Sequence, residues 1–361
     1  MIDLDVERLR SIGLTPTLAQ AALAISSNLE DSTRRLVRVT EVHRETLVVH
    51  DGAHELSVRP APRLTRELAE NDTALAVGDW VLLAPDAHGD PWAHERLDPL
   101  THIARRDADG RRHPVVSNVD TALLVMGLDD DYNPRRLERF LTLVQTQGVT
   151  PVVVLTKADV VPPERVQQAL DELRERLSAT VELLALDGRD PASASTLAPW
   201  LGAGQTLVLL GSSGAGKSTL TNALLGAPVQ DTGAVREHDS RGKHTTTSRS
   251  LHRLPGGACV IDTPGVRTLR PDVDDGALDA VFGDIAALAP RCRFRDCRHG
   301  EEPGCAVREG VSADRLRNYQ KLQRELRRDT QTALERQAQL SQWKARMRAG
   351  RERSKHKRGG G

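Results

Sequence analysis

The sequence predicts a multidomain protein: a small N-terminal β-barrel, a central α/β domain, and a C-terminal metal-binding segment with helices. Three observations carry this prediction. Short β-like runs separated by turn signals crowd residues 35–103. Apolar strand-like runs alternate with amphipathic stretches over residues 104–273. Three cysteines and a histidine fall between Cys292 and Cys305. At 361 residues the chain has room for two or three domains with buried cores. Lys plus Arg and Asp plus Glu number 50 each, so net charge points to no partner. The absence of a signal-peptide pattern and of a long apolar run predicts a soluble, cytoplasmic protein with no membrane association.

Residues 1–34 read as a loosely ordered leader in which alanine-rich Thr15–Ser27 forms a short helix. The runs Leu36–Thr40, Thr46–His50, Glu55–Val58 and Val77–Leu83 read as strands, with a hairpin signal at Asp51-Gly52. Several strands in so short a span predict a barrel of the OB type over residues 35–103. Such barrels bind RNA by stacking bases on aromatic rings, and here only Trp80 and Trp92 are on hand. Recognition of RNA backbone or shape is therefore expected rather than sequence reading. A basic segment with Arg105, Arg106, Arg111, Arg112 and His113 leads out of the barrel.

Asp120–Met126, Pro151–Leu155 and Val181–Leu186 read as buried strands, and Asn133–Gly148 and Pro162–Leu177 as amphipathic helices between them. This alternation predicts a parallel, doubly wound sheet with ligands at the carboxyl ends of its strands. The apolar run Thr206–Leu210 then meets Gly211-Ser212-Ser213-Gly214-Ala215-Gly216-Lys217-Ser218-Thr219, followed by helix-forming Leu220–Leu225. That is the spacing of a phosphate-binding loop. Glycines let backbone N–H groups face phosphate oxygens at a helix N-terminus. Lys217 reaches the β- and γ-phosphates, and the Ser218 hydroxyl takes a place on Mg²⁺.

Thr156-Lys157-Ala158-Asp159 stands at the end of the strand Val152–Leu155. A carboxylate at Asp159 can accept from N1–H and N2–H₂ of guanine, a pair that adenine lacks, so the expected nucleotide is GTP. Asp262-Thr263-Pro264-Gly265 follows the strand Ala258–Ile261; Asp262 is placed to hold Mg²⁺ through water, and the Gly265 N–H to meet the γ-phosphate. Between them lies a polar switch-like segment with Gly242-Lys243-His244-Thr245-Thr246-Thr247. Thr246 is the favoured Mg²⁺ ligand there, with Thr245 close behind. These are the parts of a GTPase with the guanine reader placed first, an order that describes a circular permutation.

At these residues, Thr156–Asp159, Gly211–Thr219, Gly242–Thr247 and Asp262–Gly265, together with the cluster from Cys292, the sequence resembles the circularly permuted, small-ribosomal-subunit-dependent GTPases of bacteria, the RsgA or YjeQ type. The match spans about Arg35 to Tyr319. The resemblance implies an OB-fold, a circularly permuted P-loop GTPase domain and a zinc-binding domain. It also implies late maturation of the small subunit, with GTP hydrolysis stimulated by that subunit. One departure is visible: the guanine-backing segment typically reads Ser-Ala, whereas Leu183-Leu184-Ala185-Leu186 stands in that place.

Cys292, Cys297, His299 and Cys305 form a Cys₃His set suited to one structural, tetrahedral zinc ion, with no position left for water. Cys259, mid-strand, reads as an ordinary buried cysteine. The zinc-binding helical part is expected over 274–343, with Ala313–Trp343 as one or two helices, and a basic tail over 344–358 of 344–361 suits RNA phosphates. Many GTPases orient the attacking water with a glutamine after D-x-x-G; Val266 cannot do so, and His244 is the candidate in its place. Thr246 and Lys217 complete the expected catalytic set. The expected protein is a monomer whose partners are guanine nucleotide and the small subunit with its rRNA. Two other classes fit the same motifs: a nucleotide-controlled RNA-binding scaffold in which hydrolysis is incidental, and a GTPase serving a non-ribosomal partner, such as a metal-delivery protein, with the zinc cluster as cargo site.

Overall fold

The computed structural model describes residues 2–27, 34–86, 88–106, 112–227, 249–263, 270–271 and 276–329. The barrel is built from β2 (Arg34–Val42), β3 (Leu47–His50), β4 (Glu55–Pro60), β5 (Trp80–Pro85) and β6 (Pro91–Arg96). Pairings β2–β3, β3–β4, β4–β6, β6–β5 and β5–β2 close it. Period-two alternation sends Val37, Val39, Val81 and Leu83 inside, where Leu64 and Leu68 of helix α3 (Pro62–Glu70) plug one end. The same alternation turns Leu36, Arg38, Trp80 and Leu82 outward.

That outer face is covered, which corrects two expectations. Residues 1–34 do not form a loose leader where they are described: strand β1 (Ile2–Asp3) pairs with β2, and helices α1 (Val6–Arg10) and α2 (Pro16–Ser27), with the turn between them, bury Leu9, Ile12, Leu14, Leu18 and Ala22. Trp80 is 0% exposed and lies under the Arg38 guanidinium, 5.6 Å from its centroid, so it cannot stack an RNA base. Arg38 is itself fully buried; it donates to Ile12 O (2.5 Å), Thr206 Oγ1 (2.9 Å) and Asn118 O (2.8 Å). One side chain thus ties barrel, N-terminal helices and the central sheet together. Burial holds its pKa below the usual value, opposed by the nearby Cys259, Asp120 and Asp79. The basic segment after the barrel is a hairpin, β7 (His102–Arg106) with β8 (Arg112–Ser117).

The central domain carries β9 (Thr121–Gly127), α4 (Pro134–Gln145), β10 (Thr150–Thr156), α5 (Pro163–Arg176), β11 (Glu182–Ala185), α6 (Pro191–Thr196), β12 (Thr206–Leu210), α7 (Lys217–Leu225), β13 (Ser250–Arg253) and β14 (Cys259–Asp262). Its sheet runs β11-β10-β9-β12-β14-β13, parallel except for the edge strand β13. The inner strands β9, β10, β12 and β14 are buried on both faces, which is why they read as unbroken apolar runs. Leu123, Val125, Val152, Val154, Leu207 and Leu209 face one layer; Leu124, Met126, Val153, Leu155, Val208 and Leu210 face the layer of α4 and α5. Strand β13 also pairs with β2 at Ser250 and Glu41, so barrel and central sheet are continuous.

Strand β15 (Arg270–Pro271) pairs with β7, and helices α8 (Gly276–Val281), α9 (Gly283–Leu288), α10 (Ala306–Gly310) and α11 (Ala313–Asp329) form the C-terminal part. Its contact with the central domain combines a shared apolar cluster, in which Leu278, Val281, Phe282 and Leu322 join Leu137, Phe140 and Leu141, with a buried ionic network. Glu138 of α4, 0% exposed, accepts from Arg315 (2.7 Å) and Asn318 of α11 (2.5 Å). Arg315 also reaches Asp284 at 2.7 and 2.8 Å and lies over the Phe282 ring. Residues 330–361, including the end of Ala313–Trp343 and the basic tail, lie outside the described residues. Among the described residues no helix is long and apolar enough to cross a membrane.

Candidate functional site

Two motifs meet at the carboxyl ends of β10 and β12. The loop after β12 passes so close to β9 that a Cβ on Gly211 would stand 2.3 Å from the Val125 carbonyl oxygen. Gly214 and Gly216 adopt φ of 83° and 92°, which side-chain-bearing residues avoid. Gly216 caps α7, so the first N–H groups of the helix face the loop. From the neighbouring strand the Thr156 hydroxyl donates to the Ala215 carbonyl at 2.6 Å, bracing the loop against the Thr156–Asp159 motif.

Lys217 is buried and curls back onto the loop, donating to Ser212 O (2.7 Å) and Gly211 O (3.1 Å). Burial lowers its pKa, opposed by Asp262 and Asp131. Asp262 ends β14 beside it, with Oδ2 3.5 Å from Ser218 Oγ. Burial raises the Asp262 carboxyl, with Lys217 the main opposing charge. Asp262 Oδ1 is buried without a hydrogen-bond partner among the described residues. An unsatisfied carboxylate oxygen next to a serine hydroxyl is a donor set that fits Mg²⁺, a hard cation that takes oxygen ligands. Thr263 turns its hydroxyl to Leu209 O (2.6 Å), fixing the turn after β14.

Beside the phosphate loop, Lys157 adopts left-handed φ 62° and pairs with Asp129 at 2.6 Å. Ala158-Asp159-Val160 forms a short 3₁₀ turn. An open cleft of about 420 Å³ is lined by Thr156, Lys157, Asp159, Val160, Asp187, Gly188, Arg189, Gly216 and Thr219. The structure thus brings Thr156, Lys157 and Asp159 together with Gly216 and Thr219. Leu183, Leu184 and Ala185 instead lie in β11, and Leu186 is buried, so the wall of the cleft is the next three residues. Sequence reasoning missed Asp129, Asp131, Asp187, Gly188 and Arg189. Asp131 Oδ1 accepts from Ser212 Oγ and from Arg136, each at 2.5 Å. The available signal was position: Asp129–Asp131 follow β9, and residues 187–189 follow β11, both at the ligand end of the sheet. His244, Thr245, Thr246, Gly265 and Val266 lie outside the described residues.

The Cys292, Cys297, His299 and Cys305 ligand atoms all lie within 4.8 Å of one another. Cys292 Sγ and Cys305 Sγ are each 3.6 Å from His299 Nδ1 and 4.0 Å apart. Tetrahedral zinc with Zn–S bonds of about 2.3 Å sets sulfurs about 3.8 Å apart, so the set fits that ion. Gln320 of α11 donates to the His299 carbonyl at 2.8 Å and anchors the loop to the helix.

The RsgA GTPase family model matches residues 96–271. A small ribosomal subunit biogenesis GTPase RsgA of Xanthomonas oryzae pv. oryzae is 47% identical over 297 residues, covering 80% of each chain. The chain belongs to the RsgA GTPase family. It is a GTPase, a hydrolase. The RsgA of Xanthomonas euvesicatoria pv. vesicatoria is 46% identical with the same coverage. In fold the chain is similar to YjeQ from Thermotoga maritima (TM-score 0.56, 23% identity, 81% of this chain and 98% of that one). It is also similar to YloQ, described as a circularly permuted GTPase (TM-score 0.55, 20% identity, 83% and 97%). The family's permuted order agrees with the sheet: the strand before the guanine motif and the strand before the phosphate loop both flank β9.

Proposed function

We propose that the chain is a cytoplasmic, monomeric GTPase that binds the small ribosomal subunit and its rRNA, assists late maturation of that subunit, and hydrolyses GTP to GDP and phosphate when the subunit activates it. The observation that carries this reading is the 47% identity, over 80% of the chain, to relatives named small ribosomal subunit biogenesis GTPase. The braced phosphate loop and its buried lysine support the nucleotide part of it.

In this reading Asp159 accepts from N1–H and N2–H₂ of guanine, and the backbone of Gly211–Thr219 cradles the phosphates. Lys217 leaves the Gly211 and Ser212 carbonyls for the β- and γ-phosphate oxygens. Ser218, Thr246 and, through water, Asp262 would hold Mg²⁺, which supplies neutralisation of the phosphate charge. The Gly265 N–H meets the γ-phosphate. Water attacks the γ-phosphorus, the bond to the β–γ bridging oxygen breaks, and GDP leaves. His244 orients that water when the subunit is bound. Cys292, Cys297, His299 and Cys305 would hold one structural zinc ion, leaving no open position for chemistry.

GTP turnover is measured with the protein alone, with small subunits and with large subunits. Stimulation by small subunits only supports the reading; equal slow turnover in all three rejects it in favour of a scaffold. For the water-orienting role, His244→Ala is expected to keep GTP binding and lose stimulated turnover. Full stimulated turnover by that variant removes His244 from the mechanism.

A further inference from the structure

The base end of the cleft is walled by Asp159 on one side and by Asp187, Gly188 and Arg189 on the other. With N1–H and N2–H₂ of guanine on Asp159, the edge left over carries O6 and N7, both acceptors. The wall next to Asp159 is the loop after β11. Strand β11 runs parallel to β10, and the Ala158 N–H donates to Leu186 O at 3.4 Å, so the two loops lie side by side. Asp187 in that loop is an acceptor and cannot serve these atoms. Its Oδ1 is taken up by the Arg189 N–H at 2.8 Å, a local turn that carries the chain on to Arg189. Gly188 is buried, and a Cβ there would meet only the Thr219 methyl, at 3.9 Å.

Two cations line the cleft, Lys157 and Arg189. Lys157 is held by Asp129 at 2.6 Å. Arg189 is exposed at the rim, and among the described residues its guanidinium has no ion-pair partner. We propose that Arg189 reads the O6/N7 edge of the bound guanine, a specificity-determining contact complementary to Asp159. The inference rests on the guanine-nucleotide reading above. A guanidinium offers two parallel N–H donors, and their fit to O6 and N7 is the commonest specific protein contact to this base. Adenine places an amino donor where O6 stands, so the fork would face a donor there. Arg189 therefore rejects adenine independently of Asp159.

The test is calorimetric titration of the full chain and its Arg189→Ala and Arg189→Lys variants with GDP, 7-deaza-GDP, IDP and ADP. Arg189 is exposed, so substitution leaves the fold intact. GDP is expected to bind about ten-fold more weakly to Arg189→Ala, the low end for a bidentate base contact because this edge is open to water. The native chain is expected to bind 7-deaza-GDP, which lacks N7, several-fold more weakly than GDP, roughly half of the fork's contribution. Arg189→Ala should no longer tell these two apart, and Arg189→Lys, with its charge but no fork, should not either. IDP lacks N2 and should be weakened equally in native and variant chains, since Asp159 is untouched. Native affinity for GDP in Arg189→Ala, or retained discrimination against 7-deaza-GDP in either variant, overturns the assignment while leaving the guanine reading standing. Equal binding of GDP, IDP and ADP by the native chain overturns that reading and this one with it.

Discussion

Glu138→Ala should loosen the C-terminal helices from the central domain without touching the nucleotide site. Glu138 is fully buried on α4 and accepts from Arg315 at 2.7 Å, Asn318 at 2.5 Å and Arg176 at 3.4 Å. Removing one member of a buried pair costs roughly 3–5 kcal/mol, because the remaining charge is left uncompensated. Arg315 keeps Asp284 at 2.7 Å and Val281 O at 3.1 Å, and Asn318 keeps Arg135 O at 3.3 Å. The lower end, about 3 kcal/mol, therefore applies. Local opening free energies are read by native-state hydrogen exchange, and 3 kcal/mol is roughly a hundred-fold in protection. Amides of α11 are expected to lose about that factor, while β9, β10 and β12 keep theirs. Combined with Arg315→Met, the loss should fall short of the sum by about 2 kcal/mol, the signature of a direct pair. Unchanged α11 protection in Glu138→Ala, or strict additivity in the double variant, would refute a buried ionic anchor between the two domains.

Asp159→Asn replaces an acceptor by an amide that can donate; preference should move from GDP toward XDP, whose C2 oxygen accepts, as nucleotide competition would read. Lys217→Ala should weaken GTP binding at least a hundred-fold, and an unchanged affinity would remove the phosphate-loop reading. Cys297→Ser should cut bound zinc, measured by elemental analysis, to well below one ion per chain and reduce the protection of α10 and α11. Asp314 sits at about pKa 2, held down first by its hydrogen bond to Arg135, against the opposing effect of burial, and then by Arg176. A carboxylate depressed in the folded state stabilises above its unfolded pKa of about 3.9, and that contribution is lost as pH falls toward 2. Asp314→Asn should thus lower the urea midpoint at pH 6, with the difference from the native chain shrinking below pH 4 and vanishing only below pH 2. A difference independent of pH would rule out the ion pairs as its source.

The central sheet was legible because its strands are buried on both faces, so Leu123–Val125, Val152–Leu155 and Leu207–Leu210 read as plain apolar runs. The phosphate loop was legible because Gly211 and Gly216 stand where backbone crowding and positive φ demand glycine. The fate of Trp80 was not legible. Alternation puts Val81 and Leu83 inside the barrel and Trp80 outside, and outside means exposed unless another domain covers it. Leu9, Ile12 and Leu18 do so together with the central sheet, a contact between segments distant in sequence. The helix Pro62–Glu70 and strand Pro91–Arg96 went unread for a related reason: each buries a narrow stripe, Leu64 and Leu68 or Ala93, that carries little signal alone. Arg189 belongs to no motif, and only the pairing of β10 with β11 sets its loop beside Asp159.

The permuted order changes what lies downstream of the nucleotide. In an unpermuted GTPase the strand ending in D-x-x-G feeds back into its own sheet. Here β14 ends at Asp262, next to Lys217 and Ser218, and the chain next meets β7 at Arg270, in the hairpin that leaves the barrel. It then enters α8, whose Val281 carbonyl accepts from the same Arg315 that grips Glu138. The strand that ends at Asp262 is thus followed along the chain by a strand beside the barrel and by the helices around the cysteine cluster. At the opposite edge of the sheet β11 leads back through α6 to β12, its loop at Asp187–Arg189 lines the cleft beside Asp159, and Arg176, at the end of α5, pairs with Asp314 of α11 at 3.2 Å. Asp159, after β10, and Asp262, at the end of β14, stand on opposite sides of β12, the strand that leads into the phosphate loop.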